Sequence, residues 1–285
     1  MIASRGEHDC FDLQFATNGR GITFLDAQFA RYPIHICRGS NTARACEGAC
    51  LLTLQSVSGG LFEGDVVNGR IEALAGAHAR VTTAASTIVH SMKAGLARQE
   101  VGLIGRGGAY LEYLPEPLIM FPDSRLQTVT RVETDLDCTM VICEAFITHD
   151  HKGLARPFDR YDSRVEVMRA DGRLLARERM LVHGGDWVGK RVGISNRFAA
   201  HASVWIIGNL DRDGLQDELR TVGSDWEAYL GASLLPNSAG LQVRVLTEDT
   251  VGLRQAISAI ATIVRRRVPA ARALNTSKNR LLSPA

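Results

Sequence analysis

Residues 97–114 read Ala97-Arg98-Gln99-Glu100-Val101-Gly102-Leu103-Ile104-Gly105-Arg106-Gly107-Gly108-Ala109-Tyr110-Leu111-Glu112-Tyr113-Leu114. The stretch predicts two strands, over 97–105 and 109–114, with the glycine cluster at 105–108 as a tight turn between them. A glycine-rich run that opens a helix would point to a dinucleotide site. Here the glycines of 102–108 lead from one strand into another, so that reading is rejected. Working outward, 48–58, 66–75, 78–90, 126–136 and 139–149 show the same two-residue period, with turn residues about every ten positions. Ala170-Asp171-Gly172-Arg173 is a second turn signal, joining 164–169 to 174–182 as a hairpin.

Helical spacing enters late in the chain. Leu215, Leu219, Val222, Trp226 and Leu230 form one stripe over 214–230, with Asp211 and Asp213 near its start and Gly231 placed to end it. Leu253, Ile257, Ile260, Val264 and Val268 form another over 251–268, with Arg265, Arg266 and Arg267 in the last turn and Pro269 behind them. The expectation is a mainly β fold, α+β at the margin: an antiparallel scaffold of many strands with about two helices in the C-terminal third. It forms a single domain over 1–270, and 271–285 read as a tail. No internal repeat or low-complexity tract stands out.

Bulk properties narrow the function. The 285 residues are 45% hydrophobic and 22% charged, enough for a sizeable core. Thirty-three basic against 31 acidic groups leave a net charge of +2, which argues against a dedicated nucleic-acid or lipid-surface binder. The uncharged stretch 255–264 is about half of what a bilayer span needs. Glu7, Asp9 and Asp12 stand where a signal peptide requires an apolar core, and the six scattered cysteines read as free thiols, so a cytoplasmic protein is expected.

Signatures of enzyme chemistry are sparse. No nucleophile elbow and no phosphate loop occur. Cys46-x-x-x-Cys50 has no matching second pair and reads as ordinary thiols rather than a zinc site. His149-Asp150-His151 could bind a divalent metal, since imidazole suits nickel and zinc, or could simply close a strand. Glu112 and Glu144 each sit between apolar neighbours on one strand face, where a carboxylate is costly unless compensated. An arginine partner and a polar internal path remain the two readings of that pattern.

Gly59-Gly60-Leu61-Phe62-Glu63-Gly64-Asp65 resembles the Gly-Gly-Leu-x-x-Gly-Asp motif of the UreD (UreH) family of urease accessory proteins. The likeness continues in order through 76–87, 97–100, 108–116 and 117–125, and again at 240–246. Two stretches depart from the family pattern: Thr148-His149-Asp150-His151-Lys152-Gly153-Leu154-Ala155-Arg156, and the ending Leu281-Leu282-Ser283-Pro284-Ala285. The resemblance implies a non-catalytic nickel-insertion chaperone that binds apo-urease subunits and a UreF-like partner, with the UreG GTPase joining through UreF. It implies no tightly bound cofactor, only Ni(II) in transit along an internal path. Sites on such a path must attract a dication without holding it. Carried over by motif, the candidates are Glu63, Asp65, Ser86, Thr87, Glu112, Asp123 and Glu144, with His149 and His151 behind them. An adaptor acting by contact alone, and a metal-dependent hydrolase using His149 and His151, are the competing expectations.

Overall fold

The computed structural model describes residues 9–40, 48–208, 210, 212–222 and 228–268. Its strands in chain order are β1 (Phe11–Thr17), β2 (Thr23–Ala30), β3 (Ile34–Ser40), β4 (Cys50–Ser56), β5 (Val66–Ala73), β6 (His78–Thr83), β7 (Ile88–Val89), β8 (Ala97–Gly105), β9 (Tyr110–Leu114), β10 (Leu118–Met120), β11 (Arg125–Thr134), β12 (Thr139–Thr148), β13 (Arg160–Arg169), β14 (Leu174–His183), β15 (Ala200–Ile207), β16 (Tyr229–Leu234) and β17 (Gly240–Thr247). Among the described residues the α-helices are α1 (Gly184–Val188), α2 (Arg212–Thr221) and α3 (Thr250–Arg267).

The strands form two sheets. The first runs β14-β13-β11-β8-β5-β1-β2, and the second runs β16-β17-β15-β12-β9-β6-β4-β3, with β7 and β10 attached beside β12. The expected antiparallel scaffold is corrected here, because both sheets are mixed. β1, β5, β8, β11 and β13 pair in parallel, as do β4, β6, β9 and β12, while the margins are antiparallel. Parallel neighbours need a crossover connection, usually a helix. From β4 to β13 the crossover is instead a strand of the facing sheet, so the chain winds as a stack of two-sided coils.

The turns that close one end of these coils stack on each other. The Gly76 amide donates to the Gly107 carbonyl at 2.9 Å, and the Asp135 amide donates to the Gly105 carbonyl at 3.1 Å. The 105–108 turn therefore carries the chain from one sheet to the other and is not a hairpin. The turn at 170–173 does join an antiparallel pair, β13 and β14, as expected.

Alternation places the core. Phe11, Leu13 and Phe15 of β1 point inward while Asp12 and Gln14 do not, and Ile71, Leu103, Val132 and Val165 continue the inner face of the first sheet. Leu52, Val81, Leu111, Ile142, Phe146 and Trp205 oppose them from the second. On the outer face of the second sheet a separate cluster forms, where Val141, Cys143, Val204 and Val243 meet Leu253, Ile260 and Val264 of α3 and Leu215 and Leu219 of α2. The Asp249 side chain caps α3, accepting from the Gly252 amide at 2.8 Å.

The helix expected over 214–230 is shorter than its apolar stripe. Its described part stops near 222, and Tyr229, Leu230 and Gly231 lie in β16, where pairing with β17 outweighs helical spacing. Trp226, Cys46, Pro269 and the 271–285 tail lie outside the described residues. The strand expected over 78–90 is two strands, β6 and β7.

Candidate functional site

The two carboxylates singled out by pattern lie on opposite faces of the same sheet. Tyr110 and Val141 belong to the cluster under α3, and Glu112 pairs with Val141 in the β9–β12 ladder. Its carboxylate accepts from Arg80 Nε at 2.9 Å, from Arg265 Nη2 at 2.8 Å and from the Tyr110 hydroxyl. With 2% of its side chain exposed, Glu112 is a buried charge compensated by two guanidiniums. The arginine-partner reading fits it.

Glu144 lies between the sheets, on the face of Ile142 and Phe146. Its oxygens accept from Thr130 Oγ1 at 2.7 Å and from Ser163 Oγ, and no cation pairs with it among the described residues. The residue is mostly buried and keeps some accessible surface where it lines a cavity of about 50 Å³. Burial pushes its pKa up to about 7, Ser163 and Thr130 counteract this, and the Glu178 charge adds to it. The cavity is large enough for a small ion or water. Thr83, Thr87, Gln99 and Glu116 also line it.

Polar groups continue from Glu144 across the interior. Glu144 faces Ser203 on β15, and Ser203 faces Arg244 on β17. Gln242 Nε2 donates to Ser203 Oγ at 2.9 Å and to Glu178 on β14, and Arg244 donates to the same Glu178 carboxylate. Thr128, Thr130 and Ser163 supply hydroxyls from the first sheet. The result is a transverse polar seam, from the cavity to the β14–β17 edge, through an otherwise apolar sandwich. Sequence reasoning found Glu144 and missed Thr130, Ser163, Ser203, Gln242 and Glu178. Inward-facing hydroxyls and amides on amphipathic strands look the same as solvent-facing ones until the sheets are assembled.

Of the remaining candidates Thr87 lines the same cavity, and the others fall elsewhere. Gly60 has φ +136°, and a Cβ there would stand 2.3 Å from the Ile88 carbonyl oxygen, so only glycine fits. That approach lets Leu61 bridge to Val89. Asp65 accepts from the Phe62 amide at 2.8 Å. Glu63 accepts from the amides of Lys93 at 2.7 Å, Ala94 at 3.3 Å and Gly95 at 2.6 Å, bonds that hold its pKa below the ordinary carboxylate value. The Gly-Gly-Leu motif is thus a clasp that fastens 59–65 to 88–95. Asp123, exposed and at φ +61°, contributes backbone bonds to Pro157 and Met92. Thr87 lines the cavity, and Ser86 accepts from Arg254 of α3 at 3.4 Å.

His149 and His151 lie beyond the end of β12 with their rings 5.8 and 5.1 Å from that of Phe121. Asp150 between them is occupied by the amides of Lys152, Leu154 and Arg156 and by the Arg156 guanidinium. Among the described residues no three histidine, cysteine or acidic side chains converge as a metal site.

Residues 7–278 match the family described as UreD urease accessory protein. A protein from Pseudomonas syringae pv. tomato named urease accessory protein UreD 1 is 36% identical over 250 residues, covering 86% of this chain and 87% of the relative. One of the same name from Methylorubrum populi is 34% identical, covering 88% and 85%. A Haloquadratum walsbyi protein named urease accessory protein UreD is 28% identical, covering 92% and 86%.

Proposed function

The chain belongs to the UreD family of urease accessory proteins, and we propose that it assists nickel delivery into apo-urease by passing the ion along the Glu144 seam. It acts as a non-catalytic insertion chaperone in the cytoplasm, bound to urease subunits on one side and to a UreF-like protein on another, with a UreG-type GTPase reached through the latter.

The observation that carries this reading is a mostly buried carboxylate with hydroxyl donors and, among the described residues, no cation. Burial of an uncompensated charge is unfavourable, and a transient dication supplies the missing positive charge. Carboxylate, hydroxyl and amide oxygens bind a first-row dication less tightly than a cage of cysteine and histidine would, so the ion can enter and leave. Glu112 is no part of this path: its charge is already neutralised, and a sheet separates it from Glu144. The clasp residues Glu63 and Asp65 position the loops around β7 and do not face the seam.

The test is Glu144→Gln in the full chain, co-expressed with urease and its accessory partners. The variant should co-purify with urease as the wild type does, while nickel per urease active site, measured by elemental analysis, falls about tenfold or more. Wild-type nickel content in that variant would remove the seam from the mechanism and leave an adaptor that works by contact.

A further inference from the structure

His201 sits beside the seam and takes no part in the hydrogen bonding just described. It lies on β15, 6% exposed, on the same inward face as Ser203 and Trp205. Its ring is 5.5 Å from that of Phe146 and 6.1 Å from that of Trp187, which wall it on two sides. Its Nδ1 is buried and makes no hydrogen bond. Native interiors keep few such atoms, and each calls for an explanation. The register supplies one. His201 is opposite Phe146, and Glu144 is opposite Ser203, so His201 and Glu144 are diagonal neighbours on one face. Diagonal pairs lie within reach of long side chains.

We propose that His201 Nδ1 and the Glu144 carboxylate together form a two-donor station for a borderline divalent cation, nickel, within the seam. The proposal rests on the seam being the ion path and adds what that reading lacks, a means of selection. Oxygen donors alone suit Mg(II) and Ca(II), whereas an imidazole nitrogen favours nickel. Two protein donors are too few for a resident site, and the nearby Arg244 guanidinium opposes a lasting cation. Burial and Arg244 also hold the imidazole at a pKa of about 4, so the ring is neutral near pH 7 and has a lone pair to offer. To meet the ion, the Glu144 carboxylate turns from Thr130 and Ser163 toward β15.

The test uses full-length protein carrying His149→Ala and His151→Ala, which remove the paired imidazoles beside Phe121, with ¹⁵N-labelled histidine and Ni(II) as a paramagnetic probe. The His201 ring signals should broaden at substoichiometric Ni(II), persist through a hundredfold excess of Mg(II), and stay sharp in Glu144→Gln. In the co-expressed urease complex, His201→Phe keeps an aromatic ring in the pocket and removes the nitrogen, and nickel per urease should fall about tenfold. His201→Gln, which restores a polar donor of similar reach, should recover part of it. Sharp His201 signals at saturating Ni(II), or full loading by His201→Phe, would overturn the station. If Glu144→Gln alone impairs loading, the path stands without His201. If neither variant impairs loading, the path itself falls.

Discussion

At the scale of single residues, the role proposed for Glu144 comes at a cost in stability. Its pKa in the fold, about 7, exceeds the ordinary 4.5 because burial penalises the charged form. Below pH 4.5 the carboxyl is protonated whether the chain is folded or not, and no penalty arises. As pH rises toward 7 the unfolded chain releases the proton first, so the folded state loses stability across that window, by at most about 3 kcal/mol for this shift. Glu144→Gln should therefore be more stable than wild type in urea unfolding at pH 8 and equal to it near pH 4.5. A variant less stable than wild type at pH 8 would mean that Glu144 has a compensating partner. His201 acts in the opposite sense: its depressed pKa gives stability that is present above its ordinary 6.5 and is lost as pH falls toward 4. Part of this site was legible in the sequence, because an acid flanked by Ile142 and Phe146 violates the apolar alternation of its face. Glu112 sends the same signal from Tyr110 and Leu114, and one chain cannot reveal that Arg265, 153 residues away, answers it.

At the scale of elements, α3 is held to the second sheet by an apolar stripe and by the Glu112 cluster. Glu112→Gln would leave Arg80 and Arg265, both mostly buried, without their carboxylate. Loss of one partner of a buried pair costs about 3 kcal/mol, so the urea midpoint should drop while nickel per recovered complex stays at the wild-type level. Unchanged stability with reduced nickel would return Glu112 to the path. Most strands from β4 to β14 could be read from their two-residue period, and α3 from its stripe and its terminal arginines, while its Asp249 cap came only with the structure. Which sheet each strand joins could not. Inner and outer residues alternate identically whether the next strand pairs beside its predecessor or crosses to the facing sheet, as β8 and β9 do around the 105–108 turn. The stacked coils leave no repeat in the sequence, since what recurs is turn geometry and burial rather than residue identity. β16 was hidden because Tyr229 and Leu230 also fit the stripe of α2, and only pairing with β17 decides between them.

At the scale of the whole molecule, a transverse polar line crosses a largely apolar interior among the described residues. That line begins at the cavity beside Thr83, Thr87 and Glu116, where α3 reaches over with Arg254 bonded to Glu116 at 2.5 Å and to Ser86. It ends at the edge where Glu178 of β14 meets Gln242 and Arg244 of β17. An adaptor that works by contact has no use for an interior polar line, which costs packing and desolvation, whereas a conduit requires it to be open. The two can be separated by closing the line without altering the outer faces. Thr87→Trp, half-buried at the cavity mouth, adds an indole where about 50 Å³ is free. Overpacking of this kind costs about 1–3 kcal/mol, so thermal unfolding must first establish that the variant folds. Given a folded chain recovered with urease at the wild-type ratio, the conduit predicts urease severalfold poorer in nickel. A paired control, Thr262→Trp on the solvent side of α3, should load normally because it adds the same bulk away from the seam. Equal nickel in wild type and Thr87→Trp would mean that the ion reaches urease by some route other than the space between these two sheets.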